Sequence, residues 1–247
     1  MTPPGHSSQV ITVLAVRGGC GKTTFATNLA VALRNAGRKV CLLDLDVDYG
    51  DVAGTLRLCR DRTFTDAPHG PVVPTPYVSG LDCVFTPALP DEPAPASAEL
   101  VTSMLGELRA SYDHVVVDTP ASLSPAVLAA TEHADHRVVL AVPEITVLRR
   151  VHDVLETLGL LGLDGPPHSL VINRADRRAG LASADVERAL RERIACWVPA
   201  SRDVPTSRNQ GMPLALSVPK HPVSIAIRAF AEDCVLNAPS PGVLARF

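Results

Sequence analysis

The residues best suited to chemistry stand together in Val16-Arg17-Gly18-Gly19-Cys20-Gly21-Lys22-Thr23-Thr24. Glycines at 18, 19 and 21 let a backbone approach a polyphosphate closely and aim successive N–H groups at it. A helix opening just after them adds partial positive charge. Lys22 would reach the outer phosphates, and the Thr23 hydroxyl would ligate Mg²⁺. The alternative is a plain glycine turn between strand and helix. Average residue usage makes Gly-Gly-x-Gly-Lys-Thr a roughly one-in-a-thousand coincidence in a chain of this length, so nucleotide binding is the preferred reading.

Such a loop works only if its flanking elements hold it. Val10 to Val16 is an apolar run that reads as a buried strand, and Thr23 to Asn35 carries Phe25, Leu29, Ala30 and Leu33 at helical spacing, with Gly37 as its stop. A second buried strand, Lys39 to Asp46, ends in Asp44 and Asp46, two carboxylates whose spacing puts them on one strand face, either toward the loop or, with Asp48 and Asp51, as part of a solvated acidic turn. A third, within Asp113 to Pro120, is an apolar strand with Asp118 as its terminal acid. Helices are expected at Ala98 to Ala110, Ser124 to His133, Ile145 to Leu161, Ser183 to Arg193 and Pro222 to Leu236. Strands are expected at His136 to Val142 and Ser169 to Arg174, and Cys196 to Val204 with Asn209 to Pro213 reads as a strand, a loop and a short helix. The alternation predicts an α/β fold, a doubly wound and mostly parallel sheet with helices on both faces, and ligands outside the strands' carboxyl ends. Asn173, at one such end, could read adenine through its amide or simply form a turn.

The chain has 247 residues, 46% of them apolar, with a net charge of −3. The core is ample, and a strongly basic nucleic-acid binder is disfavoured, although a local basic patch is not. Six cysteines form no C-x-x-C pair and suit reduced, buried thiols of a cytoplasmic protein. No apolar stretch is long enough to span a membrane. One domain is expected over 9–237, after a disordered lead (1–8) and before a short tail (238–247). Prolines crowd 63–97, read as a surface excursion around a single strand at Leu81 to Phe85.

The general phosphate-loop pattern wants Gly where Val16 stands. A cation followed by Gly-Gly-x-Gly-Lys-Thr-Thr resembles instead the deviant Walker A loop of the MinD/ParA ATPases, and the likeness extends over about Val10 to Leu236. It implies an ATP hydrolase, slow and partner-stimulated, that binds ATP/ADP with Mg²⁺ and forms a homodimer on ATP binding. Arg17 stands where the family carries a Lys that reaches the partner's phosphates; Arg keeps the charge but is not interchangeable with Lys, which bears on dimer geometry and rate. By the resemblance Gly18, Gly19, Cys20, Gly21, Lys22, Thr23 and Thr24 cradle phosphate, and Asp44 lies by the metal. Asp46 positions the attacking water, and Asp118 supports the metal shell. Asn173, Arg174 and the loop beginning at Pro199 would flank adenine.

Three phrases, Asp44 to Ala53, Tyr112 to Pro120 and Asn209-Gln210-Gly211-Met212-Pro213, look most like the CpaE/TadZ branch. That branch implies localisation of a pilus, secretion or septum apparatus, with protein partners at a pole or division site and recruitment to the inner membrane surface through them. Direct membrane insertion is not expected. A tyrosine-kinase branch would need a terminal tyrosine cluster, and an Fe–S scaffold would need paired cysteines. DNA partition would use Arg149, Arg150, Arg177, Arg178, Arg188, Arg191 and Arg193. Glu187 and Glu192 make a solvated helix face the preferred reading of the last three.

Overall fold

The computed structural model describes residues 8–46, 51–59, 72–85, 96–163, 165, 167–176, 183–190 and 192–237. The expected lead and tail therefore lie outside the described residues, apart from residue 8, as do 63–71 and 86–95 of the proline-rich stretch, 60–62 before it, Asp48 with its neighbours, and Arg177, Arg178 and Arg191.

Eight strands form one sheet: β1 (Gln9–Ala15), β2 (Val40–Asp44), β3 (Thr75–Val78), β4 (Leu81–Phe85), β5 (His114–Asp118), β6 (His136–Ala141), β7 (His168–Ala175) and β8 (Ile194–Pro199). Their order is β3-β4-β2-β5-β1-β6-β7-β8, and only the β3–β4 pair is antiparallel. The central strands are nearly continuous apolar runs because both faces are covered, with polar residues mostly at their ends. Ile11, Val13, Leu42 and Val116 pack on one face with Phe25 and Leu29 of α1 (Lys22–Asn35) and Phe230 of α9 (Pro222–Phe230). Val10, Leu43, Val115 and Val117 pack on the other, against Met104 and Leu105 of α3 (Ala98–Ser111) and Ala129 and Ala130 of α4 (Pro125–Glu132).

The remaining helices are α2 (Asp51–Leu56), α5 (Ile145–Leu160), α6 (Ser183–Leu190), α7 (Asp203–Gln210) and α8 (Leu214–Ser217). Caps explain several boundaries. Ser97 and Ser124 accept backbone N–H groups at the heads of α3 and α4, and Pro125 stands in the first turn of α4.

Four expectations need correction. The excursion holds two strands, not one: β3 joins β4 through Ser79 and Gly80, whose φ is +86°, and Pro76 is tolerated because β3 is an edge. Strand β2 stops at Asp44 rather than Asp46, because the Asp44 carboxylate accepts the Asp46 N–H at 3.0 Å and turns the chain. The acidic stretch after it contains α2. Helix α6 ends at Leu190, since β8 begins at Ile194, and the last six residues expected of α9 widen over Ala231–Leu236, where Asn237 donates to Glu232 five residues back.

Candidate functional site

Chain order places the glycine loop at the centre. The chain leaves β1 and returns through α1 to β2, two places away, and β5 later fills the gap; β6, β7 and β8 then extend the other side. This reversal opens a crevice outside the carboxyl ends. Gly21 caps α1 in the left-handed region, at φ +92°, and a Cβ there would collide with the Asn173 amide. Gly19 is left-handed as well, at φ +79°. No side chain caps α1, and no acid stands in its first turn. Its leading N–H groups are therefore left for an anion, whereas Ser97, Ser124 and His221 cap α3, α4 and α9.

A cavity of about 500 Å³ faces this helix end, lined by Gly18, Gly19, Gly21, Lys22, Thr23 and Thr24 with Asp46 and the Pro120-Ala121-Ser122 loop. Arg174, in the left-handed region at φ +53°, lines it too and opens onto a second cavity of about 650 Å³. Asn173, Val198, Pro199 and Ile227 are on that second wall. The Asn173 Nδ2 donates to the Cys20 carbonyl at 2.8 Å, and its Oδ1 accepts the Arg174 N–H at 2.9 Å. Each amide atom has capacity for a second hydrogen bond, so both roles considered for Asn173 are compatible with its position. Cys20 is fully buried in the loop and contributes backbone. Asn28 braces the helix start, donating to the Thr24 carbonyl and accepting the Ala215 N–H.

The acids divide into two kinds. Asp46 is on the cavity wall, while Asp44 and Asp118 lie side by side in the β2–β5 register and are 0% and 1% exposed. Asp44 also accepts the Val52 N–H at 3.3 Å. Burial, and then the neighbouring Asp44, hold the Asp118 carboxyl well above the usual carboxylate range; the nearby Thr23 hydroxyl and Lys22 pull it down, and Asp46 pushes it up. Its Oδ1 is buried with no hydrogen-bond partner. A cation would relieve that cost, and the oxygen-only donor set of Thr23, Asp44, Asp46 and Asp118 suits a hard divalent ion. No group of three or more His, Cys, Asp or Glu among the described residues is arranged to hold a metal alone. Mg²⁺ fits that circumstance, because it keeps several waters and takes substrate phosphates as ligands.

Arg17, half-exposed, pairs with Glu144 at 2.9 Å, just before α5. No sequence pattern pointed to that partner. Nor were site roles expected for Asp51 and Arg208, which both line the phosphate-side cavity, or for Thr119, whose hydroxyl donates to the Val13 carbonyl and ties the end of β5 to β1.

A doubly wound sheet with an uncapped glycine loop at its central strand, acids at two neighbouring tips and a second cavity alongside defines a P-loop nucleotide-binding protein. Residues 6–159 match the ParA family model, described as NUBPL iron-transfer P-loop NTPase. The match spans more than half of the sequence, and the chain belongs to this family of P-loop NTPases.

Among curated proteins, the septum site-determining protein MinD of Bacillus subtilis is 28% identical over 91% of this chain and 88% of its own length. Among solved structures, MinD of Pyrococcus horikoshii, complexed with Mg-ADP, superposes with a TM-score of 0.82 at 20% identity, covering 93% of this chain and 98% of its own. A ParA family ATPase of Chlorobium tepidum gives 0.83 at 21%, covering 92% and 99%. The fold expected from the sequence is thus borne out. No helix among the described residues is long and apolar enough to cross a membrane.

Proposed function

We propose that this chain is a MinD/ParA-like ATPase that works as a spatial switch, dimerising on ATP and released by slow, partner-stimulated hydrolysis. The observation that carries the reading is the uncapped N-terminus of α1, facing one cavity together with Lys22, Thr23 and Asp46. Lys22 and the amides of Gly18 to Thr24 hold the phosphates. Asp46 orients the attacking water, and Asn173, Arg174 and Pro199 flank the base. Thr23 and Asp44 would hold Mg²⁺, with Asp118 supporting its shell; the ion supplies charge neutralisation at the phosphates. Positioning and fixed charge suffice here, since phosphoryl transfer needs little covalent chemistry from the protein.

Arg17 is assigned to the partner subunit's phosphates. To reach them it must leave Glu144, and an exposed pair of this kind is worth only about 0–1 kcal/mol, so the exchange is no barrier. Septum site-determining proteins among the relatives favour a division or polar apparatus as cargo, and the CpaE/TadZ-like phrases favour a pilus apparatus of that same localising type. A DNA-partition role has less support, because Arg188 is paired with Asp185 at 2.8 Å. Iron transfer, named in the family description, lacks a cysteine pair at metal-ligand spacing.

Steady-state phosphate release and molecular mass with ATP, compared among wild type, Lys22→Ala and Asp46→Ala, test the reading. Wild type should turn over slowly and shift to dimer, Asp46→Ala should dimerise without turnover, and Lys22→Ala should do neither. Phosphate release by wild type equal to the Lys22→Ala background, with the dimer retained, would leave a nucleotide-binding scaffold in place of an enzyme.

A further inference from the structure

Three cavities meet at one side chain. Arg208, in the last turn of α7, lines the base-side cavity, the phosphate-side cavity and a third of about 270 Å³ between α2 and α7. It forms an ion pair with Asp51, the first residue of α2, at 3.6 Å, and both side chains are about half-exposed. Asp51 itself lines the phosphate-side and third cavities. The two helices that carry this pair are anchored independently of it. Arg57, just past α2, packs on Gly211 so closely that a Cβ there would meet its Cγ at 2.7 Å, and Tyr77 donates to the Gly211 carbonyl at 2.8 Å. Val52, next to Asp51, donates to buried Asp44.

A long, half-exposed ion pair is weak, and a polyphosphate offers a guanidinium several charged oxygens in a geometry that suits its fork. We propose that Arg208 is a nucleotide-contacting residue that exchanges Asp51 for the base-proximal end of the phosphate chain, where the base-side and phosphate-side cavities share Gly21, Thr24, Arg174 and Arg208. Asp51 is then a built-in competitor that lowers nucleotide affinity. Its release on binding passes to α2 and, through the Val52–Asp44 bond, to the acid pair. The inference rests on reading these cavities as a nucleotide site and adds to it the residue that senses occupancy.

The test is equilibrium binding of ADP, ATP and adenosine, with Mg²⁺, to the full chain as wild type, Arg208→Ala, Asp51→Asn and the double variant. Arg208→Ala should weaken ADP and ATP by about tenfold, with a much smaller effect on adenosine. Asp51→Asn should tighten ADP and ATP by about threefold, and should change nothing once Arg208 is Ala. Arg208→Ala binding ADP as wild type does would overturn this assignment while leaving the nucleotide site intact. Equal tightening by Asp51→Asn in both backgrounds would overturn it too, since general charge repulsion would then explain the gain. Absence of nucleotide binding by wild type would overturn the site itself.

Discussion

The two ends of the same sheet are built on opposite terms. At the carboxyl ends, Asp44 and Asp118 are buried side by side, one Asp118 oxygen lacks a partner, and α1 starts without a side-chain cap. At the amino ends the charges are neutralised locally. Arg109 bonds the Ser8 and His133 carbonyls and the Asp135 carboxylate, each at 2.7 Å, and Asp135 accepts the Val10 N–H. Tyr112 donates to Asp82, and the Lys39 ammonium lies over the Tyr112 ring. One end holds two buried acids and an uncapped helix start that a ligand would complete. The other is tied by ion pairs and hydrogen bonds between strands and helices, and still leaves Ser8 Oγ and Arg38 Nε buried without a hydrogen-bond partner. The cost of the site is therefore offset by the rest of the fold.

Breaking the satisfied end should cost the most stability. Arg109→Ala removes three charge-assisted bonds and should lower the unfolding free energy by about 2–3 kcal/mol in denaturant titrations, with unchanged nucleotide affinity of the folded fraction.

Next is His136, at the start of β6, whose Nε2 lies 2.9 Å from the Ser169 hydroxyl. Burial, then His168 and Arg137, push its pKa down to about 4 from 6.5. The folded state thus binds fewer protons than the unfolded one between those values, so its contribution is intact above pH 6.5 and is lost as pH falls toward 4. His136→Gln should reduce the stability lost between pH 7 and pH 4.5 by about 2 kcal/mol.

The smallest effect has the opposite sign. Asp118 has a raised pKa, so its contribution is present below the ordinary Asp value and is lost as pH rises through the raised one; at neutral pH it opposes folding. Asp118→Asn should stabilise the nucleotide-free protein at pH 7 by about 1 kcal/mol, a rise of a few degrees in Tm, while impairing hydrolysis. A destabilised Asp118→Asn protein would mean that the two ends do not differ as described.

Much of this was legible in the sequence because period and punctuation agree there. The loop, its strand and helix, and Asp44 and Asp118 at strand ends were all readable from local pattern. Edge strand β3 was hidden by proline density, since Pro76 argues against a strand unless one knows that it lies at an edge. Helix α2 was hidden by its brevity, Gly54 and its acidic head. The ion pairs Arg17–Glu144 and Arg208–Asp51 join residues 127 and 157 positions apart by their numbering, and a single sequence carries no trace of such pairings. Arg17 stood in the loop motif, Asp51 inside the Asp44 to Ala53 phrase and Arg208 directly before the Asn209 to Pro213 phrase, whereas Glu144 had no local hint.

The central claim is that the open end of the sheet grips a triphosphate. Calorimetric titration of the full chain with ATP and Mg²⁺ tests it most directly. Saturable one-site binding at micromolar concentration, lost in Lys22→Ala and weakened when Mg²⁺ is chelated, is the predicted result. No binding by wild type at millimolar ATP, or equal binding by Lys22→Ala, would contradict it.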